Sequence, residues 1–353
     1  MWGFESPLSH HQMDGRHQRY DRQMRVPVIG EAGQRKLAAA RATLVGMGAL
    51  GSVTADLLAR AGVGQLRLID RDIVEWSNLQ RQMLYSEADA AAHRPKVEAA
   101  AERLQAINSE IQIEALARDL TAANHRELLA DSTVLVDGTD NFATRYLLND
   151  YAVEQATPFI YAGVVSTYGM VGSILPPEGP CLRCTYPEPP AAADTPTCRT
   201  AGVLGPAVSV IAGLAAGRVL QLLVDDDAPQ SGFQYLDLWQ GENTSLRASR
   251  DPDCPCCGAR DFAWAEGRRG VRAAEPLCGG GAVQVPATEQ APDLAATARR
   301  LAGSVEALQE SASFLRFRSG DLEVYLFADG RALVRGTEDP GRARALLAET
   351  IGA

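Results

Sequence analysis

The stretch ATLVGMGALGS, residues 42–52, decides the fold. An apolar run, a G-x-G-x-x-G pattern formed by Gly46, Gly48 and Gly51, and a helix-forming segment follow one another here. This order is typical of a strand, a tight glycine turn and a helix start. Glycines let the backbone approach a phosphate closely, and the helix N-terminus favours its negative charge. The stretch therefore predicts a nucleotide-binding site.

The alternation of strand and helix patterns continues outward from this stretch. The segment GVGQLRLID is a second predicted strand, and it ends at Asp70, where a carboxylate can accept hydrogen bonds from ribose hydroxyls. Further helix and strand segments alternate as far as PFIYAGVV, residues 158–165. We expect an α/β fold with a doubly wound, Rossmann-like, mixed but mainly parallel sheet. At this point NAD and ATP are both compatible with the pattern.

Composition divides the chain into four predicted parts. Residues 1–17 are polar and are expected to be a disordered leader, and residues 18–266 carry the nucleotide-binding pattern. Residues 267–280 are predicted to be a linker. Short strand patterns and two helix patterns in residues 281–353 predict a small α+β C-terminal domain. No function follows from the pattern of this last part.

The bulk composition excludes several classes of function. A net charge of −10 argues against binding of nucleic acid. We expect no run that spans a membrane, and the polar N-terminus lacks the apolar core of a signal peptide, which predicts a cytoplasmic protein. Only Lys36 and Lys96 are lysines among the 34 basic residues. A lysine kept in such a chain is a candidate for a role that arginine cannot take.

Polar and basic groups beyond Asp70 favour ATP over NAD. Asn78, Arg81 and Lys96 follow within a short span, and a dehydrogenase has no need of them there. Arg81 can form a bidentate fork with phosphate, whereas Lys96 is a compact point charge at a predicted helix start. Charge that develops on a polyphosphate during displacement needs such neutralisation.

The segment DGTDN, residues 137–141, follows another predicted buried strand. Asp140 would then lie at the carboxyl edge of the sheet, where a carboxylate suits Mg²⁺ beside phosphates. Asp137 is the competing candidate. A turn that caps the next helix is the structural alternative for this segment.

The motifs together resemble a known family. RYDRQ, GMGALG, LIDRDIVEWSNLQRQ, RPKVEAA, DGTDN, CLRC, PTCRTAGVLGP and CPCCG occur in the order found in ThiF/MoeB-type adenylyltransferases, which are bacterial relatives of ubiquitin-activating enzymes. The resemblance runs from about Arg19 to Trp264. It implies a homodimer that uses ATP and Mg²⁺ to adenylate the C-terminal glycine of a small ubiquitin-like sulfur carrier of the ThiS/MoaD type. Such a carrier ends in Gly-Gly, and adenylation releases pyrophosphate and primes the carrier for thiocarboxylate formation.

The resemblance also implies roles for particular residues. The glycine loop and Asp70 would hold the nucleotide, and Asp140 would carry Mg²⁺ and act as the main catalytic acidic group. Arg22 of RYDRQ would reach the ATP of the partner subunit in trans. The groups that would line the phosphates are Asp72, Asn78, Arg81 and Lys96. The chemistry agrees with the residue types, because a carboxylate that attacks the α-phosphate needs charge neutralisation and positioning rather than a protein base.

The cysteines fall into three predicted roles. Two C-x-x-C pairs, Cys181/Cys184 and Cys254/Cys257, form a four-thiolate set that is typical of structural zinc, and the resemblance supports Zn²⁺. Cys256 is predicted to point away from the metal. A redox pair or an iron–sulfur cluster is the alternative.

The remaining cysteines leave several questions open. Cys198 matches the cysteine that forms a persulfide or thioester in some family members, with a sulfur donor such as a cysteine desulfurase. A dispensable thiol is the alternative for Cys198, and Cys278 is expected to be incidental. Two rival functions are a noncatalytic zinc-stabilised nucleotide-binding scaffold and an NAD-dependent dehydrogenase. The pathway, whether thiamine, molybdopterin, cysteine or tRNA thiolation, is left open by the sequence.

Overall fold

The fold was obtained as a computed structural model. It describes residues 15–190, 198–225, 231–270, 275–276, 281–287, 291–311 and 313–352. Most of the predicted leader, residues 1–14, and the linker residue Cys278 lie outside the described residues. Helix α1 begins at Gly15, inside the stretch predicted as leader. The other predicted domain boundaries stay predictions.

An eight-stranded sheet forms the larger part of the molecule. Its strand order is β3-β2-β1-β4-β5-β6-β7-β8. Pairing is parallel from β3 to β5 and antiparallel from β5 to β8. The strands are β1 Arg41–Val45, β2 Gln65–Ile69, β3 Gln112–Leu116, β4 Val134–Asp137, β5 Phe159–Val165, β6 Tyr168–Ile174, β7 Gly232–Asp237 and β8 Glu242–Leu246. The predicted doubly wound, mainly parallel α/β fold is therefore confirmed, whereas β6 to β8 were not among the predicted strands.

Helices cover both faces of this sheet. Leu44 of β1 faces a core shared with α2, α3, α5 and α10, and its neighbour Val45 faces a second core shared with α7. Local signals fix the helix ends, since Asn141 caps α7 by accepting from the Thr144 N–H at 2.9 Å. The helices are α1 Gly15–Met24, α2 Gly30–Ala39, α3 Ala49–Ala61, α4 Glu87–Ala91, α5 Lys96–Ile107, α6 His125–Leu128, α7 Phe142–Gln155, α8 Leu182–Thr185, α9 Cys198–Ala201 and α10 Gly205–Val224. A 3₁₀ turn spans Trp76–Asn78.

Helix α10 corrects one expectation. The prediction that no apolar run reaches the length of a bilayer span is wrong, because this helix is 20 residues long and apolar enough to span by length and composition. It packs on α3 and on strands β5 and β6. Val208, Ile211 and Val219 are fully buried in the core there. A core helix of an α/β domain passes the same length test, since its apolar face is covered by protein.

A second, six-stranded sheet forms the C-terminal part of the chain. Its order is β11-β12-β13-β14-β10-β9, and all its pairs are antiparallel. Two helices pack on one face and bury Leu315, Val324 and Val334. The elements are β9 Glu275–Pro276, β10 Ala282–Val285, α11 Leu294–Leu301, β11 Glu306–Glu310, β12 Phe314–Ser319, β13 Leu322–Phe327, β14 Ala332–Arg335 and α12 Pro340–Ile351. The predicted small α+β C-terminal part is thus present, with three more strands than the sequence indicated.

Candidate active site

A cavity of about 1000 Å³ opens at the carboxyl ends of the parallel strands. The glycine turn after β1, Asp70 after β2 and the segment Gly138–Asn141 after β4 lie on its wall. This edge is where doubly wound sheets bind their ligands. The polar residues predicted from the sequence line it together: Asp70, Asp72, Asn78, Arg81, Lys96 and Asp140.

The three glycines of the loop have different reasons to be glycine. Gly46 has a positive φ of 89°, and Gly51 approaches it so closely that an added Cβ would lie 1.9 Å from the Gly46 carbonyl oxygen. Gly138 at the end of β4 packs on the same carbonyl oxygen. In contrast, a Cβ on Gly48 would meet nothing nearer than 3.8 Å. Gly46 and Gly51 therefore serve the close packing of the turn, whereas Gly48 leaves space on the cavity side.

The Asp70 carboxylate joins the glycine turn to the segment after β2. One oxygen accepts from the Met47 N–H at 2.5 Å, and the other accepts from the Asp72 N–H at 2.7 Å. The Tyr85 hydroxyl donates to the Met47 carbonyl at 2.6 Å from the other side. Burial raises the pKa of Asp70, and Lys96 opposes that rise. Each oxygen keeps accepting capacity for a ligand hydroxyl, since an ionised carboxylate has about four lone-pair sites.

Lys96 is buried at the start of α5, with 6% of the residue exposed. Its ammonium donates to the Asp72 carboxylate at 3.2 Å, and its own N–H donates to the Asp72 carbonyl at 2.9 Å. Burial alone would lower the pKa of Lys96, but Asp72 and Asp70 outweigh burial and raise it. Lys96 is therefore a charged ammonium in the cavity wall.

Asp72 carries a carboxylate oxygen for which the described part of the chain offers no hydrogen-bond partner. Its Oδ1 is buried and unpaired among the described residues, although Arg71 lies 4.0 Å away. Burial would raise the pKa of Asp72, but Lys96 and Arg71 lower it, with a further contribution from Arg331 of the C-terminal sheet. A buried unpaired carboxylate oxygen is unusual and indicates a place where a ligand or water completes the site.

The structure separates the two aspartates of DGTDN. Asp137 is fully buried and accepts from Arg145 Nε at 2.8 Å and from both the N–H and the hydroxyl of Thr139. Asp140 is exposed on the cavity wall, and its charge acts on Lys96 and Arg145. Asp137 is therefore committed to an internal ion pair, whereas Asp140 keeps its carboxylate for a ligand.

Three more predicted residues have different surroundings. Asn78 is buried, and its Oδ1 accepts from the Glu75 N–H at 3.0 Å, which leaves its amide N–H groups with a single long bond at 3.4 Å to Ser77. Arg81 donates to the Ser77 carbonyl at 2.8 Å and reaches the cavity. Arg22 does not line the cavity of its own chain, and its side chain is 86% exposed.

Four cysteine thiols form a compact group, as the two C-x-x-C pairs predicted. The Sγ atoms of Cys181, Cys184, Cys254 and Cys257 lie within 4.8 Å of one another. Neighbouring sulfurs are 3.4 to 3.9 Å apart, too far for disulfides. A tetrahedral zinc with Zn–S bonds near 2.3 Å separates its sulfurs by about 3.8 Å. The donor set and its spacing fit zinc.

Cys256 lies outside this group although it is fully buried. Its sulfur accepts from Asn149 Nδ2 at 3.3 Å. Cys256 therefore lies beside the four-thiol group rather than in it. The backbone of Cys198 begins the short helix α9, but its side chain lies outside the described residues.

Residues that the sequence did not single out also line the cavity. Arg145 is buried, stacks on the rings of Phe142 and Tyr161 at about 5 Å, and donates to the Thr139 and Ala162 carbonyls. A helix pattern gives no signal for such an arginine, because arginine is ordinary on a solvated helix face. Toward the antiparallel strands the lining is aromatic and apolar, with Tyr161, Tyr168, Met170, Tyr186, Tyr235 and Leu246.

A glycine turn with a ribose-type carboxylate and a buried lysine at this edge of the sheet places the protein among the nucleotide-binding α/β proteins. Within that class the chain belongs to the ThiF family, whose model matches residues 20–256. This confirms the resemblance inferred from the motifs.

Relatives of two lengths match the chain. A sulfur carrier protein ThiS adenylyltransferase of Bacillus subtilis is 40% identical over 338 residues, 95% of this chain and 99% of that protein. A protein with the same name from Escherichia coli is 38% identical over 244 residues, 68% of this chain and 94% of its own length. The crystal structure of E. coli MccB with ATP aligns with a TM-score of 0.60 and 25% identity, covering 68% of this chain and 74% of that one. The longer relative therefore matches nearly the whole of this chain, whereas the shorter relative matches about two thirds of it.

The glycine loop gives a prediction about stability. Gly51→Ala should lower the free energy of unfolding by about 1–3 kcal/mol, because its methyl group would overlap the Gly46 carbonyl. Gly48→Ala is the matched control, since its methyl group has space, and it should leave that free energy within about 1 kcal/mol of wild type. Urea unfolding followed by circular dichroism measures both. Equal losses in the two variants would contradict this account of the turn.

The cysteine group gives a prediction about metal content. Cys257→Ser should lose the bound zinc, because it removes one of four thiolates, whereas Cys256→Ser should keep about one zinc per chain. Metal analysis of the purified variants measures this, with Cys254→Ser as a second ligand variant. Loss of zinc from Cys256→Ser with retention in Cys257→Ser would reverse the ligand assignment.

Proposed function

We propose that this protein is an ATP-dependent adenylyltransferase that activates the C-terminal glycine carboxylate of a small ubiquitin-like sulfur carrier. The product is an acyl adenylate, pyrophosphate leaves, and the carrier is then ready for thiocarboxylate formation. The carrier is of the ThiS type, because two relatives of different length carry that name. The enzyme works in the cytoplasm, where the carrier and ATP are available together.

The observation that carries the proposal is the composition of the cavity. Its polar end combines an open glycine turn with the carboxylates of Asp70 and Asp140 and the cations of Lys96 and Arg81. The lining residues of the described chain include no histidine and no cysteine. Such a set favours reactions that need charge neutralisation and alignment over reactions that need a nucleophilic side chain.

The chemistry follows from these groups. An oxygen of the ionised carrier carboxylate forms a bond to the α-phosphorus as the bond from that phosphorus to the pyrophosphate oxygen breaks. The attacking oxygen is already deprotonated, so no protein base is required. Arg81 and Lys96 would neutralise the leaving pyrophosphate, and Asp140 would hold Mg²⁺, which supplies further charge neutralisation when it is bound. Asp70 would hold the ribose hydroxyls.

The aromatic end of the cavity suits the tail of the carrier. Gly163 of β5 has no side chain at a place where a Cβ would lie 3.1 Å from the Tyr161 hydroxyl, and Tyr161 and Tyr235 provide flat apolar surfaces. A Gly-Gly tail has no side chains and can enter a narrow space that other residues cannot. This end therefore admits the carboxylate and excludes bulkier C-termini.

The assembly and the later sulfur step are further parts of the proposal. The protein is a homodimer in which Arg22 of each subunit reaches the nucleotide of the other, and its exposure outside its own cavity supports this role. Zinc on the four thiolates is structural, since full coordination leaves no open position. Sulfur comes from a persulfide donor such as a cysteine desulfurase, and Cys198 is the candidate to receive sulfur or the carrier.

Two rival functions are less well supported. A noncatalytic scaffold would not need the full set of phosphate-binding groups that the cavity contains. An NAD-dependent dehydrogenase would not need Lys96 and Arg81 beside the ribose carboxylate. Fluorescence titration with ATP and with NADH distinguishes an adenylyltransferase, which binds ATP, from a dehydrogenase, which binds NADH. Exchange of labelled pyrophosphate into ATP in the presence of a ThiS-type carrier distinguishes an adenylyltransferase, which catalyses the exchange, from a scaffold, which does not.

Asp140 and Asp137 give a matched test of the catalytic assignment. Asp140→Asn should lower carrier-dependent ATP–pyrophosphate exchange at least about 100-fold and leave stability unchanged, because the side chain is exposed. Asp137→Asn should instead lower stability by about 3 kcal/mol, because Arg145 loses its buried charged partner. Exchange assays and urea unfolding on both variants show which aspartate serves catalysis and which serves stability. Full exchange in Asp140→Asn would remove it from the catalytic set.

A mixing experiment tests Arg22 in trans. Arg22→Ala and Asp140→Ala should each be inactive alone. When the two are unfolded together and refolded as mixed dimers, about a quarter of the wild-type activity should return, because half of the dimers are mixed and one of their two sites is complete. A mixture with no regained exchange would show that Arg22 and Asp140 act within one chain or that Arg22 has another role.

A further inference from the structure

The C-terminal sheet contributes to the cavity of the candidate active site. The face of this sheet that α11 and α12 leave uncovered carries Ala282, Tyr325, Phe327 and Leu333, which form an apolar cluster with Ile73 just beyond Asp72. Ala282 and Leu333 also line the cavity itself. One wall of the site is therefore supplied by a part of the chain that lies beyond residues 20–256, the stretch that matches the family model.

Arg331 connects the same sheet to the segment that holds Asp70 and Asp72. It is one of the largest fully buried side chains, with 2% exposed, and it stacks on Phe327 with 3.5 Å from its guanidinium carbon to the ring centroid. Its Nε donates to Asp329 at 3.0 Å. Its Nη1 donates to the Arg71 carbonyl, and its Nη2 donates to the Ala117 carbonyl at 2.9 Å. Arg331 thus joins the carboxyl ends of β2 and β3.

Four further contacts hold the C-terminal sheet in this position. Arg335 pairs with Glu75 at 3.5 Å and lies 3.0 Å from His93 Nδ1. The ring of His93 packs edge-on against Tyr325. Ser313 donates to Glu98 in the first turn of α5, next to Lys96. The sheet therefore contacts both segments that carry the charged groups of the site.

We propose that the C-terminal sheet is an integral part of the ATP site. Leu333 contacts the nucleoside half of ATP, and Arg331 is a positioning residue that fixes Asp70 and Asp72 through the main chain at Arg71. This inference rests on the proposed function, because it takes ATP as the ligand of the cavity.

The placement of Leu333 identifies the nucleoside as its ligand. The ribose carboxylate Asp70 follows β2, and the phosphate groups lie toward β1 and β4, where the glycine turn and Asp140 are. Leu333 packs with Ile73 on the β2–β3 side, and Leu120 lines the cavity on that side too. An apolar surface beyond the ribose suits a base, which buries its faces against aliphatic side chains.

The Arg331 geometry explains why a planar cation is needed. Its fork donates to two main-chain carbonyls and one carboxylate in fixed directions, which the single ammonium of lysine cannot reproduce. A shift of the Arg71 carbonyl moves both neighbours, Asp70 and Asp72. The carrier end of the cavity lies at β5 to β8, toward the other edge of the sheet from β2 and β3, which Arg331 contacts.

Leu333→Ala with Val334→Ala as its control tests the nucleoside contact. Both residues are buried in β14, but Val334 faces the helices and not the cavity. Calorimetry on the full chain should give an ATP Kd about tenfold higher for Leu333→Ala, with the Kd for inorganic tripolyphosphate changed less than about twofold. Val334→Ala should change neither Kd more than about twofold. Equal ATP affinity in Leu333→Ala and wild type would overturn the proposal, as would equal losses for ATP and tripolyphosphate.

Arg331→Lys tests the positioning role by kinetics. In the pyrophosphate-exchange assay the KM for ATP should rise about tenfold, while the KM for the carrier stays within about twofold of wild type. An equal rise of both KM values would indicate a general structural defect and reject the role. If wild type binds ATP without carrier-dependent exchange, the adenylation proposal fails, and the two Kd comparisons still decide whether the C-terminal sheet is part of the ATP site.

Discussion

The Lys96 ammonium is buried between two carboxylates, and the order of the whole nucleotide edge depends on this pairing. Asp72 accepts from the ammonium at 3.2 Å, and Asp70 lies close enough to help raise its pKa. A buried cation without such partners would be lost to neutralisation or would distort the fold. Because Lys96 starts α5 and both aspartates follow β2, the pairing fixes a helix end against a strand end. The glycine turn joins the same network through the bond from the Met47 N–H to Asp70.

Charge at this edge is balanced in a way that suits a polyphosphate. Arg145 is neutralised by Asp137 inside the protein, so it shapes the wall without offering free charge. Lys96 shares its charge with Asp72, while Asp140 stands exposed across the cavity. The phosphates of a metal-bound nucleotide would pair with the cationic side chains, and its divalent cation would pair with the free carboxylate. The metal-bound triphosphate proposed as the ligand would meet both kinds of charge.

Local patterns predicted the parts of the fold and site that depend on neighbouring residues. The first βαβ unit, the glycine turn, Asp70 and the two C-x-x-C pairs follow from spacing alone, since each is built from a short stretch. Short turns join β5 to β6 and β7 to β8, but these strands were missed because their sequences lack clear apolar alternation, and all five residues of β8 are exposed. The burial of Arg145 was missed because arginine on a helix usually faces water. The packing of the C-terminal sheet on Ile73 and the cavity depends on tertiary contacts that no sequence motif marks.

The mass of the carrier shows whether the cavity transfers AMP to a carrier carboxylate. A ThiS-type carrier ending in Gly-Gly is incubated with the protein, ATP, Mg²⁺ and a pyrophosphatase, and the intact carrier is weighed by mass spectrometry under mildly acidic conditions. Adenylation should give an adduct of one AMP that maps to the C-terminal glycine and is absent when the carrier lacks that residue. An unmodified carrier, or a carrier that gains a phosphate in place of AMP, would show that the protein does not adenylate the carrier.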